Sequence, residues 1–207
     1  MTLRCAAFGA AILSLAITVS VPARAASDTP TGAPAGDLSH LHDFDFLRGD
    51  WTAHHHKLRT RLAASHDWIE FDGTVSQRPV MLGWGNSGDN FFNVPGAPYR
   101  GVSLRSYDPK TAEWLVWWLD GRDPTGELGP PIRGRFENGV GHFYSNDTDD
   151  GRPIRVRVTW TRPSPTTARW EQAFSVDGGQ TWEVNWTTDF TRATGAPPAP
   201  TRPVSLP

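Results

Sequence analysis

Apolar side chains recur at every second position through most of the chain beyond residue 50, and no stretch there repeats every 3.6 residues. Ile154, Val156 and Val158, for example, alternate with Arg155 and Arg157. Turn sequences rich in Gly, Asp, Asn and Pro separate such runs. The pattern predicts an all-β protein, with one short helical turn near residues 43–47.

The number of predicted strands determines where the two ends of the sheet meet. About ten strands are predicted: the first begins at Trp51, the third lies at 80–84, and the last leads to Arg192. In an up-and-down meander each strand reverses direction, so an even count places the first and last of these residues at the same end of a closed barrel. The loops after odd-numbered strands, of which 85–98 and 120–131 are the longest predicted, then form a mouth at the other end.

The first 25 residues have the features of a secretory signal peptide. A basic start at Arg4 precedes a short apolar run, and an Ala-x-Ala sequence ends at Ala25. We therefore expect a secreted or periplasmic protein. Its predicted segments are a signal peptide (1–25), a disordered leader (26–42), one β-barrel domain (43–192) and a disordered Pro-rich tail (193–207).

The charge of the chain excludes some partners. Twenty Lys and Arg face 22 Asp and Glu, and loss of Arg4 and Arg24 with the signal peptide changes the net charge from −2 to −4. Such a surface does not favour nucleic acid or an anionic membrane, and no segment after cleavage is apolar enough to insert into a bilayer. Cys5, the single cysteine, also leaves with the signal peptide, so no disulfide is expected. The sequence leaves the oligomeric state open.

Ten tryptophans are more than a small barrel needs as filler, because a buried indole N–H requires a partner. A cavity lined by aromatic side chains would account for them, and a Trp-rich core is the alternative. The stacking walls of a small-molecule site are expected from four of the tryptophans. They are Trp84, Trp118, Trp170 and Trp186.

Polar groups are expected to orient the ligand at the mouth, namely Asn86, Arg105 and Asp120. Alternation alone leaves two kinds of lumen open. In the first, the apolar faces point inward and the charges face water. In the second, Arg105, Arg157, Glu171 and Asn185 converge in a polar lumen.

A run of three histidines suggests a metal site. On a strand, His54 and His56 point the same way and could hold one metal ion with a third ligand from another strand, such as His142, Glu70 or Glu171. The alternative is a surface histidine cluster at the rim.

Acid–base catalysis could use Asp120 and Glu171, although carboxylates are too common for this signal to be specific. The chain lacks the serine-hydrolase, phosphate-loop and dinucleotide motifs, and no cofactor is predicted. Residues 175–182 match the Asp-box sequence of propeller glycosidases. They occur once and without a repeat, so we interpret them as a structural hairpin.

Several short motifs, taken in order, resemble a family of exported bacterial calycin-like (lipocalin-like) β-barrel proteins known only as a domain of unknown function. The motifs, spread over residues 43–192, are Phe46-Leu47-x-Gly49-x-Trp51, Gly83-Trp84-Gly85-Asn86, Ser103-Leu104-Arg105-x-Tyr107-Asp108-Pro109, Trp117-Trp118-x-Asp120-Gly121-Arg122, Trp170-Glu171-Gln172 and Asp177-Gly178-Gly179-x-Thr181-Trp182-Glu183-x-Asn185-Trp186. The resemblance implies a calycin-like barrel with a small-molecule cavity. It also implies that Gly49, Trp51 and Arg192 have structural roles, with the last two paired across the closed end.

Three functions follow as hypotheses. The leading one is a binding or carrier protein for a small hydrophobic or aromatic molecule. The rival is a small barrel enzyme, such as an isomerase, lyase or hydrolase, that uses cavity carboxylates or histidines. The third is a cell-envelope protein whose barrel is filled by its own side chains.

Overall fold

The computed structural model describes residues 36–194, which form one closed barrel of ten antiparallel strands. The strands are β1 (Gly49–Leu58), β2 (Trp68–Val80), β3 (Gly85–Phe92), β4 (Tyr99–Asp108), β5 (Glu113–Asp120), β6 (Ile132–Glu137), β7 (Val140–Asp149), β8 (Arg152–Ser164), β9 (Thr167–Ser175) and β10 (Glu183–Arg192). Two 3-10 turns, Asp45–Leu47 and Met81–Gly83, complete the elements. The predicted all-β, up-and-down architecture is confirmed.

Each strand pairs with its neighbours in sequence, and β1 pairs with β10 to close the sheet. The side chains of β8 explain the direction of the alternation, because Ile154, Val156, Val158 and Trp160 are all buried inside the barrel. Their neighbours of opposite parity lie on the outer face. The apolar residues counted from the sequence are therefore those that fill and line the interior.

The closed end is sealed by the segment before β1. Phe44 and Leu47 are buried there, and the indole of Trp51 donates a 2.8 Å hydrogen bond to the Leu47 carbonyl. The guanidinium of Arg192 lies 4.3 Å from the centroid of the Trp51 ring, which is the contact expected from the sequence. Gly49 has a φ of +108°, and a Cβ there would lie 2.9 Å from Nη1 of Arg192.

Arg192 also binds two carbonyl groups of this segment. Its Nη1 donates to the carbonyl of Arg48 at 2.7 Å, and its Nη2 donates to that of Phe46 at 2.9 Å. The side chain therefore joins the end of β10 to the turn that precedes β1. Residues 37–42, predicted from their composition to belong to the disordered leader, lie against the same end. Tyr107 Oη donates to the Asp37 carbonyl, and Trp114 Nε1 donates to the His40 carbonyl.

The third strand differs from the prediction. Residues 81–84 form a tight turn at the closed end, and the stretch 85–92, expected to begin a long mouth loop, is strand β3. Its small polar residues pair on both sides, with β2 and with β4. Ladder hydrogen bonds from two flanking strands outweigh the poor strand propensity of this sequence. The mouth loop that follows is only 93–98.

The mouth is formed by the loops after odd-numbered strands, of which 121–131 is the longest. Strands β5 and β6 pair only through residues 114–116 and 132–134, whereas most neighbouring strands pair over most of their length. The outer half of β5 therefore has no ladder with β6. Leu128 and Pro130 of the long loop line the cavity on this side.

The predicted signal peptide, the leader up to residue 35 and the tail after residue 194 lie outside the described residues. Within residues 36–194, no helix is long and apolar enough to cross a membrane.

Candidate functional site

The barrel contains a cavity of about 470 Å³ that reaches from the mouth to the aromatic layer of the closed end. The aromatic layer includes Phe143, Trp160 and Phe190, all of them buried. Between this layer and the mouth, the barrel is not filled by its own side chains. A cavity of this size lies within the range of small-molecule sites, roughly 300–1,000 Å³.

The wall of the cavity is more polar on one side than on the other. Strands β1 to β4 supply the polar side, whose lining residues include His55, Gln77, Asn90, Ser103 and Arg105. Strands β7 to β9 supply the more apolar side, whose lining residues are Phe143, Val156, Val158, Trp160, Trp170 and Phe174, together with Gln172 and, toward the mouth, Ser145, Asn146 and Asp147. Of the four residues of the predicted polar lumen, only Arg105 lines the cavity, because Arg157 and Glu171 lie on the outer face and Asn185 is not among the lining residues. Such a wall suits a molecule with an apolar body and a polar group.

A polar floor, defined here as Gln77, Asn86, Ser103 and Arg105, lies toward the closed end. Nη1 of Arg105 donates to Oδ1 of Asn86 at 2.9 Å and to Oε1 of Gln77 at 3.2 Å. Gln77 and Ser103 pair with Gly88 from either side, and a Cβ at Gly88 would lie 2.6 Å from Oγ of Ser103. A glycine at this position of β3 leaves room for these two side chains.

Arg105 is 4 % exposed and has no acidic partner among residues 36–194. Burial lowers the pKa of its guanidinium to about 10, so the group is cationic at neutral pH. The rings of Phe44 and Trp160 lie 4.9 and 5.7 Å from it and supply part of the missing stabilisation.

The guanidinium nevertheless keeps donors without acceptors. It has five N–H groups, and both of its hydrogen bonds leave from Nη1. Nε of Arg105 is buried without a hydrogen-bond partner, and so is Oγ of Ser103. An unsatisfied buried donor costs about 1–3 kcal/mol. The polar floor therefore contains two buried groups, Nε of Arg105 and Oγ of Ser103, that the described part of the chain does not satisfy.

His55 lies higher on the polar side, stacked on Phe71 at 4.7 Å between ring centroids. Burial lowers the pKa of its imidazole to about 3, so the ring is neutral. Nδ1 lies 2.8 Å from Oγ1 of Thr188 and receives the indole N–H of Trp186 at 3.4 Å. Because an indole only donates, Nδ1 accepts in that contact, and the ring proton then sits on Nε2, which has no partner.

Aromatic side chains surround the mouth. The Trp118 ring covers Gly101 of the adjacent strand, where a Cβ would collide with it. The Trp118 ring also meets Phe92 edge-on, with 5.7 Å between centroids, and Phe92 stacks on Tyr99 at 4.6 Å. Nζ of Lys57 lies 3.8 Å from the centroid of the Trp186 ring, where burial lowers the amine pKa to about 8.

Of the six residues predicted to bind a ligand, Arg105, Trp118, Trp170 and Trp186 line the cavity. Trp84 directly follows the turn Met81–Gly83 at the closed end, where it packs against the hydrophobic core. Asn86 is buried and serves as an acceptor for Arg105. The structure therefore brings together the tryptophans of β5, β9 and β10 and separates Trp84 from them.

The two candidate catalytic carboxylates do not meet. Asp120 ends β5 at the mouth and accepts a 2.9 Å hydrogen bond from Nε of Arg122, which lowers the pKa of the carboxyl to about 2. Glu171 lies on β9 at the parity opposite to the cavity-lining Trp170, and it is 3.8 Å from Nη2 of Arg157. Neither carboxylate lines the cavity.

His54 and His56, the candidate metal ligands, lie on the outer face of β1. Nδ1 of His54 is 2.9 Å from Asp72, and Nε2 of His56 is 3.9 Å from Glu70. Asp72 raises the pKa of His54, as expected for an exposed ion pair. Among the residues that the structure describes, no group of three His, Cys, Asp or Glu side chains is placed to hold a metal ion.

The hairpin at 175–182 is organised around Asp177. Its carboxylate accepts the backbone N–H groups of Gln180 and Thr181 at 2.9 Å and the Thr181 hydroxyl at 2.6 Å. These bonds lower the pKa of the carboxyl. The Asp-box here stabilises a turn at the mouth, outside the residues that line the cavity.

Sequence reasoning missed His55, Gln77 and Ser103 as cavity residues. A signal for His55 was available, because Trp51 was expected to pair with Arg192 across the closed end of the barrel, and counting in twos from Trp51 reaches His55 rather than His54. Gln77 and Ser103 carried no comparable signal, since their importance depends on Arg105. That arginine lies on β4, two strands from Gln77.

No protein-family model matches the chain, and no curated protein matches it either.

Proposed function

We propose that this barrel is a binding or carrier protein for a small, partly aromatic or hydrophobic molecule. The observation that carries the proposal is the cavity of about 470 Å³, lined on one side by Trp160, Trp170 and Phe174 and reached through an aromatic mouth. Burial of an apolar body there would release water from the apolar side chains of the wall.

Binding is proposed in preference to turnover because of where the acidic groups lie. Asp120 is held by Arg122 at the rim, and Glu171 faces away from the cavity. General acid–base catalysis needs such groups within hydrogen-bond reach of the reacting atoms. Within residues 36–194, Asp147 is the one acidic side chain that lines the cavity, and it is exposed to solvent at the mouth.

We also propose that the protein is exported and belongs with the calycin-like barrels. The signal-like residues 1–25 support export, and the Trp51–Arg192 contact at the base of a ten-stranded barrel supports the relationship. Amino-terminal sequencing of protein recovered from the periplasm or medium tests export. A mature chain beginning at Ala26 is expected, whereas an uncleaved chain retained in the cytoplasm would contradict it.

Binding can be tested with the neutral fluorescent probe N-phenyl-1-naphthylamine. We expect saturable binding with one site per chain, and a Kd raised about five- to tenfold by Trp118→Ala, since an aromatic contact contributes about 1–1.5 kcal/mol. Trp118 is 42 % exposed, so its loss should leave the fold intact.

Leu119→Ala is the matched control, because Leu119 is the next residue of β5, is 40 % exposed and does not line the cavity. Its Kd should stay within about twofold of the unmodified protein, because only side chains lining the cavity contribute to binding. Absence of saturable binding by this probe and by a panel of hydrophobic ligands would refute the proposed function. Equal effects of the two substitutions would place the site outside the cavity.

A further inference from the structure

The polar floor contains a buried cation for which the described residues supply no anion. Arg105 lines the cavity, and no salt bridge joins it to any acidic side chain of residues 36–194. The single acidic residue among the cavity-lining side chains is Asp147, which is exposed at the mouth end of β7. Arg105 lies near the closed end of the barrel, so the cavity separates its guanidinium from the carboxylate of Asp147.

The neighbours of Arg105 are arranged as donors and neutral acceptors. The two amides, Gln77 and Asn86, accept from Nη1 and fix the plane of the guanidinium. Nε of Arg105 and Oγ of Ser103 are both buried without partners, in side chains that are 4 % and 6 % exposed. A buried charge of this kind is normally paired, and planar guanidinium groups pair best with planar oxyanions.

We propose that the ligand of this cavity carries a carboxylate, which binds to Arg105 at the polar floor while the apolar body of the ligand packs against strands β7 to β9. This inference rests on the proposed binding function and specifies its ligand class. One guanidinium neutralises one negative charge, which favours a carboxylate over a phosphate monoester with nearly two. The apolar wall opposite, with Val158 and Trp170, favours an aromatic or aliphatic acid over a sugar acid.

The test uses two probes of the same shape, 2-naphthoate and 2-naphthamide, with affinities measured by calorimetry at neutral pH. The unmodified protein should bind the carboxylate about tenfold or more tightly than the amide, as expected for a charge-assisted hydrogen bond in a buried site. In Arg105→Met this preference should disappear, while the affinity for 2-naphthamide stays within about threefold. Met replaces the stem of the side chain and removes an unpaired charge, but it leaves the side-chain oxygens of Gln77 and Asn86 without their donor, so a modest fall in the thermal midpoint is expected.

Arg157→Met is the matched control, since Arg157 lies on the outer face beside Glu171 and should leave the carboxylate preference unchanged. If Arg105→Met does not fold, the unmodified protein still decides the matter by NMR. Addition of 2-naphthoate should shift the Nε–H resonance of Arg105, and 2-naphthamide should shift it much less.

The possible failures can be told apart. Binding of both naphthalene probes with equal affinity, or a preference that survives Arg105→Met, would overturn the carboxylate inference and leave the binding function standing. Failure of both probes and of N-phenyl-1-naphthylamine to bind would overturn the binding function itself.

Discussion

The three consecutive histidines of β1 show how one residue step changes chemistry. His54 and His56 are on the outer face beside acidic groups, whereas His55 is 3 % exposed and lines the cavity. The same side chain thus has a raised pKa at position 54 and a pKa lowered to about 3 at position 55. Desolvation outweighs every other influence on the buried ring.

His55 should make the stability of the barrel depend on pH. Its folded pKa of about 3 lies below the ordinary 6.5, so the unfolded state binds more protons between these values. The contribution is fully present above pH 6.5 and is lost as the pH falls toward 3. We expect a loss of about 3 kcal/mol between pH 7 and pH 4, measured by urea denaturation, and a smaller loss in His55→Gln.

His66→Gln provides the control, because His66 is exposed on the mouth loop between β1 and β2. That variant should lose stability with falling pH as the unmodified protein does. Parallel curves for His55→Gln and the unmodified protein would show that another group is responsible.

The face of the barrel on which a residue lies could be predicted from the period-two alternation of its strand. Trp118, Trp170 and Trp186 were expected in the cavity and line it, because each has the inward parity of its strand. Arg105 was expected to orient a ligand at the mouth, but it lies near the closed end. Alternation gives the face of a residue, whereas its depth follows from its place along the strand, and β4 runs from the mouth at Tyr99 to the closed end at Asp108.

At the scale of the element, the sequence of β3 was the least predictable. Gly85 and Gly88 are unfavourable in isolated strands, and the stretch therefore reads as a loop. In the barrel these small residues make room for others, since Gln77 and Ser103 lie over Gly88. Such a requirement comes from the packing of three strands and has no signature in any one of them.

The turn between β2 and β3 has unfavourable backbone angles. Leu82 has a φ of 55° and ψ of 31°, is fully exposed, and follows Met81, which also has a positive φ. A left-handed conformation costs a residue with a Cβ about 1–2 kcal/mol, whereas Asn tolerates it. Leu82→Asn should therefore raise the free energy of unfolding by about 0.5–1 kcal/mol, measured by chemical denaturation.

The comparison is Leu119→Asn, made at an exposed leucine in the regular part of β5. It should be neutral or slightly destabilising, because Asn is a poor strand former. A decrease in stability for Leu82→Asn would indicate that the apolar tip of the turn has contacts that outweigh the strain.

At the scale of the whole molecule, closure depends on the ladder between β1 and β10 and on Arg192 beneath it. Arg192→Lys would keep the charge but lose the fork that binds the carbonyls of Arg48 and Phe46 and covers Trp51. We expect a loss of about 1–2 kcal/mol in the free energy of unfolding, measured by denaturation.

Arg169→Lys tests whether this cost is specific to the closed end. Arg169 pairs with Asp189 on the exposed surface of the same region, and such pairs contribute at most about 1 kcal/mol. The loss should be clearly smaller than for Arg192→Lys. Equal losses would mean that the base of the barrel does not depend on the guanidinium fork.

The ladder between β1 and β10 also has a consequence for synthesis of the chain. Every other pair of neighbouring strands in the barrel is adjacent in sequence, so hairpins can form in order as the polypeptide emerges. The last seam has to wait until Arg192 has cleared the ribosome or the translocation pore. A nascent chain that stalls before that point presents two unpaired strand edges, β1 and β9, to its surroundings, which makes the ten residues of β10 the ones that protect it from self-association.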